Sequence, residues 1–155
     1  MTSDAFRFAG AGGAALAGRL DLPDREPRAH ALFAHCFTCS KDLAAVARIS
    51  RGLVAEGIGV LRFDFTGLGS SEGEFANTTF ASNVGDLIAA AAALRDAGRA
   101  PSILIGHSLG GAAVLRAAAS VPESVAVATI GAPAAPAHVT NLFTSTDLDA
   151  IRDAG

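Results

Sequence analysis

Basic charge is not in surplus in this chain. It carries 12 Lys and Arg against 15 Asp and Glu in 155 residues, a net charge of −3. That balance speaks against nucleic acid or an anionic membrane as partner. Long apolar runs are absent as well, and none reaches the ~20 residues that a bilayer-spanning helix needs. The N-terminus does not read as a signal peptide. Asp4 precedes the first basic residue, Arg7, and Gly10, Gly12 and Gly13 break the apolar stretch that follows. A cytoplasmic location is the expectation. Cysteine is scarce, with only Cys36 and Cys39, too few for a disulfide scaffold at this length. No histidine cluster has zinc-ligand spacing. No Gly-Lys-Ser/Thr follows an apolar run, and Glu72 stands where the third glycine of a Gly-x-Gly-x-x-Gly beginning at Gly67 would be. Nucleotide binding is therefore discarded. No metal and no organic cofactor is implied. Asn77-Thr78-Thr79 fits a glycosylation pattern but reads as a turn.

What is present is a globular composition, 50% apolar and 17% charged, with no internal repeat or linker and enough length for one domain with a real core. The most informative stretch is Ser102-Ile103-Leu104-Ile105-Gly106-His107-Ser108-Leu109-Gly110-Gly111. A short apolar run ends in Gly-x-Ser-x-Gly and an Ala-rich helical run follows at once. That context predicts a nucleophile elbow, a strand–turn–helix corner so sharp that Ser108 is strained and its hydroxyl exposed. Gly106 and Gly110 are small because a side chain at either would collide with the turn. The free N–H of Leu109, at the start of the helix, is placed to stabilise an oxyanion.

The rest of the chain alternates. Residues 6–8 and 16–22 read as a hairpin around the glycines at 10–13. Residues 31–34 read as a short buried strand, and 58–63, 103–105 and 125–130 as further strands. Residues 41–56, 83–97 and 109–120 read as helices. Ser40 is expected to cap the first helix and Gly57 to end it, with Lys41, Arg48 and Arg51 off its apolar face. The expected fold class is α/β, a mostly parallel doubly wound sheet with an N-terminal antiparallel hairpin. Three loops leave the carboxyl ends of its strands, at 35–40, 64–73 and 106–110. Ligands of such sheets bind there.

With those loops placed, the chain resembles the α/β-hydrolase superfamily. His35-Cys36-Phe37 looks like its oxyanion loop, Asp64-Phe65-Thr66-Gly67-Leu68-Gly69-Ser70-Ser71 like its Asp-x-x-Gly-x-Gly-x-Ser turn, and Gly106-His107-Ser108-Leu109-Gly110 like its elbow. The run from His35 to Asp42, with Gly131-Ala132-Pro133 and His138-Val139-Thr140, is similar to the hydrolase half of proteins fused to an OsmC-like peroxide-reducing domain. Such a fused domain is expected only in a full-length parent. The resemblance implies a partial α/β-hydrolase fold that cleaves a carboxylic ester, thioester or small amide on a small acyl substrate. It implies Ser108 as nucleophile, with the N–H groups of Leu109 and Phe37 holding the oxyanion. His35 is read as ordering the oxyanion loop, with a catalytic role as the alternative. Asp64 is read as bracing its turn by accepting N–H bonds from the loop at 67–69, with a catalytic acid at this strand end as the alternative. His107 is expected to play a structural part. Phe37, Leu68 and Phe80 are candidates for an acyl pocket or for core packing.

The sequence departs from the pattern twice. Cys36 stands where the family commonly has glycine. The family's triad order, Ser then acid then His, finds only His138 beyond Ser108, too early for the base. The chain therefore reads as the N-terminal part, residues 1–155, of one hydrolase domain, with 144–155 opening a lid or cap and the acid and base missing. Two expectations follow. The chain alone should be nearly inactive, and the apolar strand at 125–130 should be an exposed edge prone to self-association. Two rival readings remain: a thiol redox protein using Cys36-Phe37-Thr38-Cys39, and a non-catalytic binding scaffold.

Overall fold

The computed structural model describes residues 1–36 and 39–134. β1 (Thr2–Ala9) and β2 (Ala15–Leu22) form the hairpin, in register from Thr2↔Leu22 to Ala9↔Ala15. Then come β3 (Ala29–Ala34), α1 (Ala44–Ala55), β4 (Ile58–Phe63), α2 (Phe80–Asp96), β5 (Ile103–His107), α3 (Leu109–Ala117) and β6 (Ala126–Ile130). Their order across the sheet is β1-β2-β4-β3-β5-β6. β4, β3, β5 and β6 are parallel, and β2 joins β4 antiparallel. This is a partial α/β-hydrolase fold. The N-terminal strand is longer than expected, because pairing with β2 extends it back to Thr2.

Side chains alternate across the parallel strands, and each face has its own core. Ala31 and Phe33 of β3, Ile58 and Val60 of β4 and Ile105 of β5 pack with Val46 and Val54 of α1. Leu32, Leu61, Phe63 and Leu104 point the other way, onto Leu87, Ala91 and Leu94 of α2 and Ala113, Val114 and Ala117 of α3. Burying one such large side chain is worth roughly 1.5–3 kcal/mol, so helices on both faces are what keeps these strands in the middle of the sheet. β6 lies at the end of the sheet and is exposed along its length.

α1 starts later than expected. Its N-cap is Leu43, without a side-chain cap, and Ser40 instead accepts from the Asp42 N–H. The cause lies outside the helix. Lys41 is buried rather than solvated, its N–H held by Asp64 and its carbonyl by Arg62, which stops residue 41 from joining a helical ladder. α2 starts earlier than expected. Thr79 and Ser82 form a reciprocal capping box ahead of the first apolar turn.

One buried ion pair and its hydroxyl partners join four elements. Asp21 on β2 accepts from Arg62 Nε on β4 (2.7 Å), from Ser50 on α1 (2.6 Å) and from Ser3 on β1. Burial pushes the Asp21 carboxyl up, but Arg62 and the two hydroxyls hold it below its ordinary range. Removing one partner strands the other's charge. Asp21→Ala is expected to destabilise the fold by about 3–5 kcal/mol in urea denaturation. The double variant Asp21→Leu/Arg62→Met should recover most of that loss. A double variant no more stable than the single would show that the charge itself is not what matters.

Candidate active site

β5 passes into α3 through a single residue, Ser108. Its φ is 54° and ψ is −121°, and among the described residues it is the one non-glycine residue with positive φ. A side chain with a Cβ is strained there, so the neighbours must impose it. They do so by close approach. A Cβ on Gly106 would lie 2.3 Å from the Gly110 carbonyl oxygen, and one on Gly110 would lie 2.4 Å from that of Ala34. The turn is closed on itself and pressed against the end of β3. The Ser108 N–H donates to the Ile130 carbonyl at 2.8 Å, fastening the corner to β6, and its own carbonyl accepts from Gly111 at 2.8 Å. Ser108 is half-buried. Leu109 is the first residue of α3, a position whose N–H has no acceptor within its own helix and lies at the positive end of the helix dipole.

The loops after β3 and β4 meet beside this corner on the carboxylate of Asp64, which is fully buried. It accepts from the Lys41 N–H at 2.6 Å, the Lys41 ammonium at 2.8 Å and the Ser70 N–H at 3.0 Å. The loop donor is thus Ser70, with Lys41 added, where the sequence pointed to residues 67–69. Gly69 is required for another reason: at φ +53° its Cβ would lie 2.3 Å from Asp64 Oδ2. His35 Nε2 lies 3.3 Å from Asp64 Oδ1. His35 Nδ1 is 2.5 Å from the Cys36 carbonyl oxygen, which ties the ring to the start of the loop after β3. Burial pushes Asp64 up. The His35 ring, both Lys41 donors and the Ser70 N–H together reverse that and hold it far below the carboxylate range. Lys41 is shifted upward, because Asp64 and Asp42 outweigh the opposing effect of burial.

A third contact was not legible in the sequence. Cys36 and Cys39 form a disulfide, and the ring of His107, the last residue of β5, lies close to both sulfurs. Spacing along the chain gave no signal for it, since His107 arrives through the pairing of β3 with β5.

Leu68 packs against the core shared with α2 and α3, while Phe80 is 42% exposed at the start of α2. Phe37 and His138 lie outside the described residues, as does the segment 144–155. Among the described residues, no histidine is hydrogen-bonded to the Ser108 hydroxyl. Two clefts, one walled by Arg25 and Arg51 and the other by His30 and Arg99, open at the amino ends of the parallel strands, away from Ser108.

A strand–Gly-x-Ser-x-Gly–helix corner, with a strained serine between two converging loops, is a family's signature. Residues 25–148 match the hydrolase family described as serine aminopeptidase, S33. The chain belongs to this family of α/β-hydrolases. It superimposes on an esterase domain from Rhodothermus marinus with a TM-score of 0.74 and 55% identity, covering 90% of this chain and 54% of that one. An α/β serine hydrolase without lid from Xanthomonas campestris gives a TM-score of 0.75 at 29% identity, covering 88% and 64%. The mitochondrial palmitoyl-protein thioesterase ABHD10 of Mus musculus is 42% identical over 71 residues, 46% of this chain and 23% of that protein. This hydrolase chain thus spans about half of the esterase domain, and its match covers about a quarter of the curated relative. No helix among the described residues is long and apolar enough to cross a membrane.

Two predictions follow from the geometry. Gly110→Ala must displace the Ala34 carbonyl and is expected to cost about 1–3 kcal/mol. Gly52→Ala, at an α1 position with nothing within 4 Å of a new Cβ, should stabilise by roughly 0.5–1 kcal/mol. Equal denaturation midpoints for the two variants would contradict the close approach. The second prediction concerns acid. Asp64 has a depressed folded-state pKa, so its contribution is whole above the unfolded value of about 4 and is lost as pH falls through the folded value. Stability measured in urea should therefore drop from about pH 4 downward. Asp64→Asn should flatten that part of the profile, and an unchanged profile would contradict the assignment.

Proposed function

We propose that this chain is the nucleophile-bearing part of a serine hydrolase that cleaves a carboxylic ester, thioester or small amide through an acyl-Ser108 intermediate. The observation that carries the proposal is the positive φ of Ser108 between β5 and α3. The Ser108 Oγ attacks the acyl carbon and its proton passes to a general base. The carbonyl oxygen gains negative charge, which the N–H groups of Leu109 and Phe37 receive, and collapse then expels the alcohol, thiol or amine. Each such donor is typically worth about 2.7–4 kcal/mol of transition-state stabilisation. In this reading His35 and Asp64 act through other groups. They fix the loop that carries Phe37 relative to the corner, while Gly106 and Gly110 permit the corner itself. His107 helps to wall the site.

The esterase and thioesterase names of the relatives support acyl transfer to water as the reaction class. A cytoplasmic site of action and pairing of two copies along β6 belong to the same proposal.

The test is mass-spectrometric mapping after prolonged exposure to a fluorophosphonate. Slow, single-site modification of Ser108 is expected, with none in Ser108→Ala. In a longer version of the protein that carries an acid and a base, Ser108→Ala should lower ester or thioester hydrolysis by at least about 10³-fold. A modified residue other than Ser108, or undiminished hydrolysis in Ser108→Ala, would overturn the assignment.

A further inference from the structure

The Cys36–Cys39 pair has no task in the hydrolysis just described, yet it is held in a defined place. Cys36 ends the segment after β3. The Cys39 N–H donates back to the Cys36 carbonyl at 3.1 Å, a turn that brings the two α-carbons to 5.3 Å and both sulfurs to the same side. The third group comes from a different element. His107 closes β5, where sheet pairing sets it opposite Ile130 of β6. The sulfurs of Cys36 and Cys39 and a ring nitrogen of His107 all lie within 4.8 Å of one another. Among the described residues this is the one triplet of His, Cys, Asp or Glu side chains gathered so closely.

We propose that, once the Cys36–Cys39 disulfide is reduced, Cys36, Cys39 and His107 form a binding site for a soft divalent metal, with Zn2+ as the best-matched ion. Two thiolates at Cys-x-x-Cys spacing and one imidazole are zinc-type donors. A thiolate-rich set without carboxylate disfavours Ca2+, Mg2+ and Mn2+. The imidazole is carried by a paired strand, so only the two sulfurs need to move apart. Three protein ligands leave a fourth position for water or another small ligand.

The site is gated by redox state, because a sulfur in a disulfide is not a thiolate ligand. A dithiol reductant opens it in two exchanges. Its first thiolate attacks one sulfur, breaks the Cys36–Cys39 bond and releases the other as thiolate. Its second thiolate displaces the protein sulfur from the mixed disulfide. The reductant leaves as its own cyclic disulfide, two electrons having passed to the protein. Metal binding then holds both sulfurs as thiolates, with their protons released to solvent. The proposal does not rest on Ser108 being a nucleophile, and either reading can fail alone.

The experiment uses the whole chain, with Co2+ as spectroscopic probe and Zn2+ as competitor. The protein is reduced with a phosphine, freed of reductant under anaerobic conditions and titrated. These two cysteines are the only ones in the chain, so a thiolate-to-cobalt charge-transfer band reports on them alone. One equivalent of Co2+ should give that band together with the visible bands of a tetrahedral site, and Zn2+ should abolish both. The oxidised protein should give neither. Cys39→Ser, in the loop and outside the sheet, should lose the charge-transfer band or most of it. His107→Ala, checked for folding by circular dichroism, should weaken binding by more than the roughly 10–100-fold typical of outer-shell partners. Absence of the band in the reduced protein would overturn the proposal. So would a site formed at half an equivalent by two chains, or unchanged affinity in His107→Ala.

Discussion

The close approach of three backbone segments at the carboxyl ends of β3 and β5 is the constraint on which the rest of the molecule depends. Gly106 can touch the Gly110 carbonyl, and Gly110 the Ala34 carbonyl, only because none of these contacts has to accommodate a Cβ. The register Ala34↔Gly106 fixes where β5 stops relative to β3. From that point the chain can turn into α3 only by placing Ser108 at positive φ. The strain at one residue is thus the local cost of docking α3 directly against the sheet, where Ala113, Val114 and Ala117 are wholly buried. The same docking aims the start of α3, and with it the unpartnered N–H of its first turn, at the mouth between the loops.

Charge does for the loops what apolar packing does for the helices. Asp64 and Lys41 are buried together, and their pairing reaches the backbone on both sides, through the Lys41 and Ser70 N–H groups. Asp21, Arg62 and Ser50 do the same between the hairpin, the sheet and α1. Arg62 also joins the two clusters by donating to the Lys41 carbonyl at 2.5 Å. Burying such charges is expensive in itself, and pairing offsets that only when the remaining hydrogen-bonding positions are filled. Here they are, by backbone N–H groups as well as side chains. The result is specificity of position: the loop after β3 cannot slide without uncovering a carboxylate.

Local patterns were legible in the sequence, and contacts made across it were not. The apolar runs named the parallel strands: β3, β4 and β5 carry continuous apolar sequence as strands covered on both faces do, and β6 carries one although it lies exposed at the edge of the sheet. Gly57 marked a helix end, and it stands at positive φ. The corner at Ser108 was legible because glycine spacing, strand and helix agree within ten residues. The start of α1 was misread because helical periodicity begins at Lys41 in the sequence, whereas capture by Asp64 takes that residue out of the helix. Phe80 reads as a pocket residue by hydrophobicity alone, and lies exposed because the capping box at Thr79 sets the helix going ahead of the apolar face. The approach of His107 to the cysteines depends on strand order, which no local pattern encodes.

The proposal on which the functional reading turns is that this corner receives a negatively charged oxygen between Ser108 and the first N–H of α3. The most direct measurement is a crystal structure of the chain phosphonylated at Ser108. The account predicts Ser108 still at positive φ, with the phosphoryl oxygen hydrogen-bonded to the Leu109 N–H. An adduct in which Ser108 relaxes to negative φ, or whose phosphoryl oxygen points away from the start of α3, would contradict it.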